Sequence, residues 1–173
     1  RHGGANLKVS EMMDEVIALI GYTTDKAAVK SAIRKITGKE LYDRSGLVYG
    51  FGHAVYTISD PRAELLRGVC EEVAKEQGKM KEFYFYRLFE ECVKEVIMED
   101  KHKVIPTNVD YYSGFAYDML RIPRELYTPL FVTSRLVGWI AHNIENKLYD
   151  GKIMRPATRY VGENVAYQSV EER

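Results

Sequence analysis

Apolar residues return at steps of three and four along most of this chain, and that spacing constrains the fold more than any other feature. Val9, Met12, Met13, Val16, Ile17 and Ile20 fall on one helical face, and Gly21 ends the run. Thr24 or Asp25 can cap a second helix reaching about residue 37, closed by Gly38. Asp60-Pro61 is a start signal: the carboxylate accepts from first-turn amides, and proline suits the first helical position. Leu66, Val69, Cys70 and Val73 follow as that helix's apolar face, and Gly78 stops it. A fourth helix over about 80–100 carries Phe85, Leu88, Phe89, Cys92, Val93 and Val96 on one side and charges on the other, which predicts a solvent-facing surface there. Residues 109–121 read as a shorter helix ended by Pro123. Thr128-Pro129 opens another to about 148, apolar nearly all round between Leu130 and Ile144. Such a helix is normally covered on several sides, so a further domain or partner is expected. From Asp150-Gly151 onward the period is lost, and the segment reads as an extended arm.

The fold class is therefore all-α. The chain has 173 residues, with 25 basic and 25 acidic side chains. Zero net charge argues against a general nucleic-acid binder. No run is apolar enough for a membrane helix, and no signal peptide opens the chain, so no membrane partner is expected. Cys70 and Cys92 lie apart on apolar stripes and read as buried free thiols, which fits a reducing, cytoplasmic setting. The first residue is arginine, and the chain opens on a glycine-rich motif as if part of a longer sequence.

Chemistry has a few candidate places. The stretch from Tyr42 to Ser59 is a glycine-rich loop between helices, carrying Gly46, Gly50 and Gly52. His53 follows those glycines, and His2 precedes Gly3-Gly4. Beside glycines a histidine is either structural or catalytic; glycine lets backbone approach a ligand and leaves an imidazole uncovered. His102, in a charged run, reads as solvated, and His142, on the apolar helix, as a core or interface group. The four histidines have no metal-ligand spacing, so no metal is expected. Asp110, in Asn-Val-Asp-Tyr-Tyr-Ser-Gly, is either a helix N-cap or a general base between aromatic rings, where desolvation would raise its pKa. Arg62, Arg135 and Arg155 are either salt-bridge partners or forks that converge on a small di- or tricarboxylate.

Together these segments resemble the citrate synthase family. The matching motifs, in order, are His2-Gly-Gly-Ala-Asn6, Gly50-Phe-Gly-His-Ala-Val-Tyr56, Asp60-Pro-Arg-Ala63 and Asn108-Val-Asp-Tyr-Tyr-Ser-Gly114. Ser134-Arg-Leu-Val-Gly-Trp-Ile-Ala-His142 and Ile153-Met-Arg-Pro156 complete the set. The resemblance covers nearly all of this chain and only the later part of the family's longer one.

It implies condensation of acetyl-CoA with oxaloacetate, through an enol or enolate and citryl-CoA, to give citrate and CoA. His2 then matches the histidine that binds the thioester carbonyl, Asp110 the base that removes a methyl proton, and His53 the histidine that polarises the oxaloacetate carbonyl. Arg62 and Arg135 match carboxylate-binding arginines of the same subunit, and Arg155 the arginine sent across a homodimer. Leu47, Val48, Gly50, Phe51, Gly52 and Ala54 match the segment that receives CoA. No cofactor is implied, the CoA thioester being a substrate. Residues 1–117 correspond to the family's small helical domain, and 118–173 to the C-terminal helix and arm of its large domain. Two alternatives stay open: 2-methylcitrate synthase, which uses propionyl-CoA, and a non-catalytic helical fragment that self-associates. The 173 residues alone are expected to be inactive or nearly so.

Overall fold

The computed structural model describes residues 3–149 together with 157, 159, 161, 162 and 169. Among them every regular element is helical: α1 (Ala5–Ile20), α2 (Lys26–Thr37), α3 (Pro61–Glu76), α4 (Met80–Lys101), α5 (Val109–Met119), a short 3-10 turn (Arg124–Leu126) and α6 (Tyr127–Leu148). The chain divides into two units, Arg1–Arg135 and Leu136–Arg173, and α6 runs from one into the other. No helix among the described residues is long and apolar enough to cross a membrane.

The first unit is built by α1 against α5 and α2, α3 against α5 and α4, and α2 against α4. Its core holds the faces read from the periodicity, Val9, Met12, Met13 and Val16 of α1 and Phe85, Phe89, Cys92, Val93 and Val96 of α4, and with them Val29, Ile33 and Ile36 of α2. Asp25 caps α2 by accepting from the Ala27 N–H at 2.8 Å, and Asp60 caps α3 by accepting from the Arg62 N–H at 3.1 Å. Both thiols are free and buried, and burial pushes Cys70 up to about 12. Helices α1 and α5 meet at Gly114, where a Cβ would lie 2.8 Å from the Asn6 carbonyl oxygen, so only glycine allows the approach.

Several expectations are corrected. In α3 the buried positions are Ala63, Cys70 and Ala74, while Val69 is exposed. The contact between α3 and α5 favours small residues, and Val69 instead joins Leu65 and Val109 on an open apolar shelf beside Arg62. The charged side of α4 is not wholly solvated: Glu90 is only 4% exposed, because Thr107 and Tyr112 close over it. Helix α6 starts one residue early, at Tyr127, so Thr128 is not its cap; its hydroxyl donates to the Gly3 carbonyl at 3.1 Å. Buried Tyr127 holds that start by donating to Asp118 at 2.6 Å.

Among the described residues, much of the apolar surface of α6 is exposed. Val137, Trp139, Ile140 and Ile144 are about half exposed or more. His142 is 83% exposed, with Glu145 at 3.8 Å, so within the described residues it is not a core group. His102 is exposed, as expected, and closes α4 in a left-handed conformation at φ 51°. The arm expected after residue 150 lies almost wholly outside the described residues.

Candidate active site

The starts of α3 and α5, and the glycine loop between α2 and α3, carry the site. Gly50, Phe51 and Gly52 run beside Pro106–Asn108 as one short antiparallel bridge, Phe51 opposite Thr107. The Gly52 N–H donates to Pro106 O at 2.8 Å, and the Asn108 N–H to Gly50 O at 2.9 Å. Gly50 has φ +87°, and a Cβ there would lie 2.8 Å from Tyr111. Glycine is thus required both by conformation and by the closeness of α5. The Phe51 ring packs 4.9 Å from that of Tyr111.

Asn108, not Asp110, caps α5. Its side chain accepts from the Asp110 N–H at 3.1 Å and donates to Gly52 O at 2.9 Å. The N-cap reading of Asp110 is therefore corrected: its carboxyl is not used in capping and sits in the first turn of α5. Burial pushes that carboxyl above the ordinary aspartate range, against the lowering effect of Arg62 and His53.

His53 follows the bridge. Its Nδ1 accepts from the backbone N–H groups of Val55, at 3.0 Å, and Tyr56, at 3.1 Å. That assigns the ring proton to Nε2. Nε2 lies 3.2 Å from Arg62 Nη2. Arg62 is gripped by Asp60, which accepts from Nε at 3.0 Å and Nη2 at 2.8 Å. Asp60 is 1% exposed, and the Arg62 contacts hold its carboxyl below the ordinary range. Two N–H donors, from His53 and Arg62, therefore meet at 3.2 Å, donor against donor. An anionic or carbonyl oxygen beside them would satisfy both. The rings of Tyr56 and His53 lie 4.8 Å apart, and the Arg62 guanidinium sits over Tyr56 at 5.9 Å.

The structure thus brings together His53, Arg62 and Asp110, and it adds Asp60, Tyr56 and Asn108, which sequence reasoning did not place in the site. Asn108 had a signal, a preferred capping residue directly before the helix. Along the loop, Gly50 is buried, Val48, Phe51 and Gly52 are half-buried, and Leu47 and Ala54 are exposed. Arg135 lies on α6, over the ring of Phe131 at 5.0 Å. No hydrogen bond or ion pair among the described residues joins Arg135 to the His53 cluster. Phe131 also packs on Gly3, where a Cβ would meet its ring at 2.8 Å. His2 and Arg155 lie outside the described residues. Among the described residues no group of three or more His, Cys, Asp or Glu is placed to hold a metal.

The model of the citrate synthase C-terminal domain matches residues 1–157. The chain belongs to the citrate synthase family. It is 36% identical over 173 residues to the citrate synthase of Haloferax volcanii, covering 99% of this chain and 41% of that one. It is 34% identical over 161 residues to the 2-methylcitrate synthase of Shewanella oneidensis, covering 93% and 38%. Among solved structures, citrate synthase from Thermoplasma acidophilum in ternary complex with carboxymethyl-CoA and oxaloacetate is similar at TM-score 0.71 and 29% identity, covering 99% of this chain and 42% of that one. The chain thus spans about two fifths of the length of these relatives.

Proposed function

We propose that this chain is the catalytic segment of an enzyme that condenses acetyl-CoA with oxaloacetate to give citrate and CoA. One observation carries the reading: a guanidinium aimed by a buried aspartate faces the Nε2–H of His53, beside a desolvated carboxyl at the start of α5. In this proposal Asp110 accepts a methyl proton of acetyl-CoA, and His2 donates to the thioester oxygen as the enol or enolate forms. A thioester methyl is a very weak carbon acid, so proton removal has to be coupled to a positioned donor at the developing oxyanion. The enol carbon then bonds to the ketone carbon of oxaloacetate, while His53 Nε2–H donates to the ketone oxygen. Water cleaves the citryl thioester, releasing citrate and CoA. Arg62, Arg135 and Arg155 bind the carboxylates of oxaloacetate, Arg155 from the second subunit of a homodimer. The loop carrying Leu47, Val48, Gly50, Phe51, Gly52 and Ala54 receives CoA as substrate, with no cofactor. We assign 1–117 to a small domain and 118–173 to the return into a large one, in a cytoplasmic protein whose thiols stay reduced.

Named similarity to a 2-methylcitrate synthase supports a second reading, with propionyl-CoA as substrate. The two differ by one methylene, worth about 1–3 kcal/mol in a pocket. Comparing kcat/KM for the two acyl-CoAs in the full-length protein decides between them; a preference for propionyl-CoA overturns the first. These 173 residues alone are expected to turn over little or no substrate, since Arg62 stands 54% exposed and, among the described residues, much of the apolar side of α6 is exposed. Citrate formation by the segment itself, assayed with both substrates, would sink that expectation.

A further inference from the structure

Glu90 is a charged group that the reaction above does not use. It stands mid-way along α4 and is 4% exposed, on a helix otherwise amphipathic. Its Oε1 accepts from Thr107 Oγ1 at 2.7 Å and from Lys94 Nζ at 2.7 Å. Its Oε2 accepts from Tyr112 OH at 2.5 Å. Arg87 Nη1 adds a longer ion pair at 3.6 Å. Burying a carboxylate is costly, and a residue that only had to fill this space could be apolar. Burial alone would raise its pKa, yet Lys94, Tyr112 and Thr107 hold it below the ordinary range, so it stays ionised.

Both hydroxyl partners flank the start of α5, and one of them also faces the loop that carries His53. Tyr112 is two residues beyond Asp110 in the first turns of α5. Thr107 pairs with Phe51, and its neighbour Asn108 bonds to Gly50 and Gly52, directly before His53. One carboxylate therefore restrains directly the start of the helix that carries the proposed base, and, through the bridge from Thr107 to Phe51, the segment that carries the proposed carbonyl donor. We propose that Glu90 is a positioning residue: by holding Tyr112 and Thr107 at once, it sets the separation of Asp110 and His53. The proposal rests on the roles assigned to those two residues. Misplacement by about 1 Å can lower a rate about a hundredfold, so the tie bears on turnover more than on ground-state binding.

The test uses the full-length protein and the purified, folded variants Tyr112→Phe, Thr107→Val, their combination, and Glu90→Gln, with Asp110→Ala as a control. Each is measured for thermal midpoint, kcat and KM for oxaloacetate, well below its midpoint. Tyr112→Phe and Thr107→Val should each lower kcat about tenfold or more with KM for oxaloacetate within about twofold. The pair should be non-additive, because either cut releases the same carboxylate. Glu90→Gln keeps the volume and one acceptor, so it should retain more activity than the combined Tyr112→Phe, Thr107→Val variant. Unchanged kcat in both single variants, with Asp110→Ala inactive, overturns the positioning role while leaving the proposed reaction standing. Activity lost only in proportion to folded protein also overturns it. An active Asp110→Ala overturns the underlying reaction instead.

Discussion

Between α2 and α4 the chain places three basic and four acidic side chains on an open ladder, whereas at the starts of α3 and α5 a few groups share half-buried ground. On the ladder, Lys26, Lys30 and Arg34 meet Glu91, Glu95, Glu99 and Asp100 at 2.7–3.3 Å. All are long or exposed side chains whose pairing is screened by water and salt. At the site, Asp60 is buried and grips Arg62 through two nitrogens, Glu90 is buried with three close partners, and Asp110 is desolvated. Counting ion pairs would rank the ladder first. Burial and convergence rank it last: a charge that has lost its water depends on its few partners, and it orients them in return.

The largest break in that contrast is expected from Asp110→Ala. In the full-length enzyme, steady-state kinetics should show kcat down by about 10²–10⁴, the usual range for a general base, with modest change in oxaloacetate affinity. An equal loss in both would argue against a base. Next comes Arg62→Leu, which removes a charged donor and leaves Asp60 buried without its partner. Oxaloacetate affinity should fall about tenfold to a hundredfold by calorimetric titration. Untouched binding would make Arg62 a structural residue of the helix start.

A pH profile sharpens the same point. Asp110 must be ionised to accept a proton, and burial raises its pKa. Activity should therefore fall as pH drops through a value above the ordinary aspartate pKa of about 3.9. Arg62 lowers that pKa, so in the residual activity of Arg62→Leu the acid limb should move to higher pH. A limb that moves down, or stays, contradicts the electrostatic link.

Smaller still is a packing test. Gly114→Ala puts a Cβ 2.8 Å from the Asn6 carbonyl oxygen, backbone that cannot swing away. Urea unfolding should show a loss of about 1–3 kcal/mol. Lys30→Ala should have the least effect. It removes two exposed pairs of the ladder, and its thermal midpoint should match the parent within error at physiological salt.

Much of the fold was legible because helical periodicity and caps are local properties. Asp25, Gly38, Asp60-Pro61 and Gly78 mark their helix ends within a residue or two of where they lie. The buried faces of α1 and α4 follow the apolar stripes, since one stripe per helix leaves one way to hide it. The stripe on α3 misled, because Val69 and Cys70 are adjacent in sequence but only Cys70 turns to α5. At the site, His53, Arg62 and Asp110 were legible as unusual residues near glycines, a helix start and aromatic rings. Asn108 rather than Asp110 as the cap was decided by which side chain reaches the first free N–H.

The sequence by itself determined an all-α chain, its helix ends, most of its core and which histidine, arginine and aspartate side chains stand at the glycine loop and the helix starts. Those depend on neighbours within a few positions, where 3.6 residues per turn and capping chemistry leave few choices. Tertiary structure alone decided that Asp60 aims Arg62 at His53, that Gly50 lets the loop reach Tyr111, and that Glu90 leaves the solvent to hold Thr107 and Tyr112. Glu90 shows the reason. On α4 it is one acid among several at ordinary surface spacing, and only the packing of segments 17 and 22 residues further along the chain removes its water.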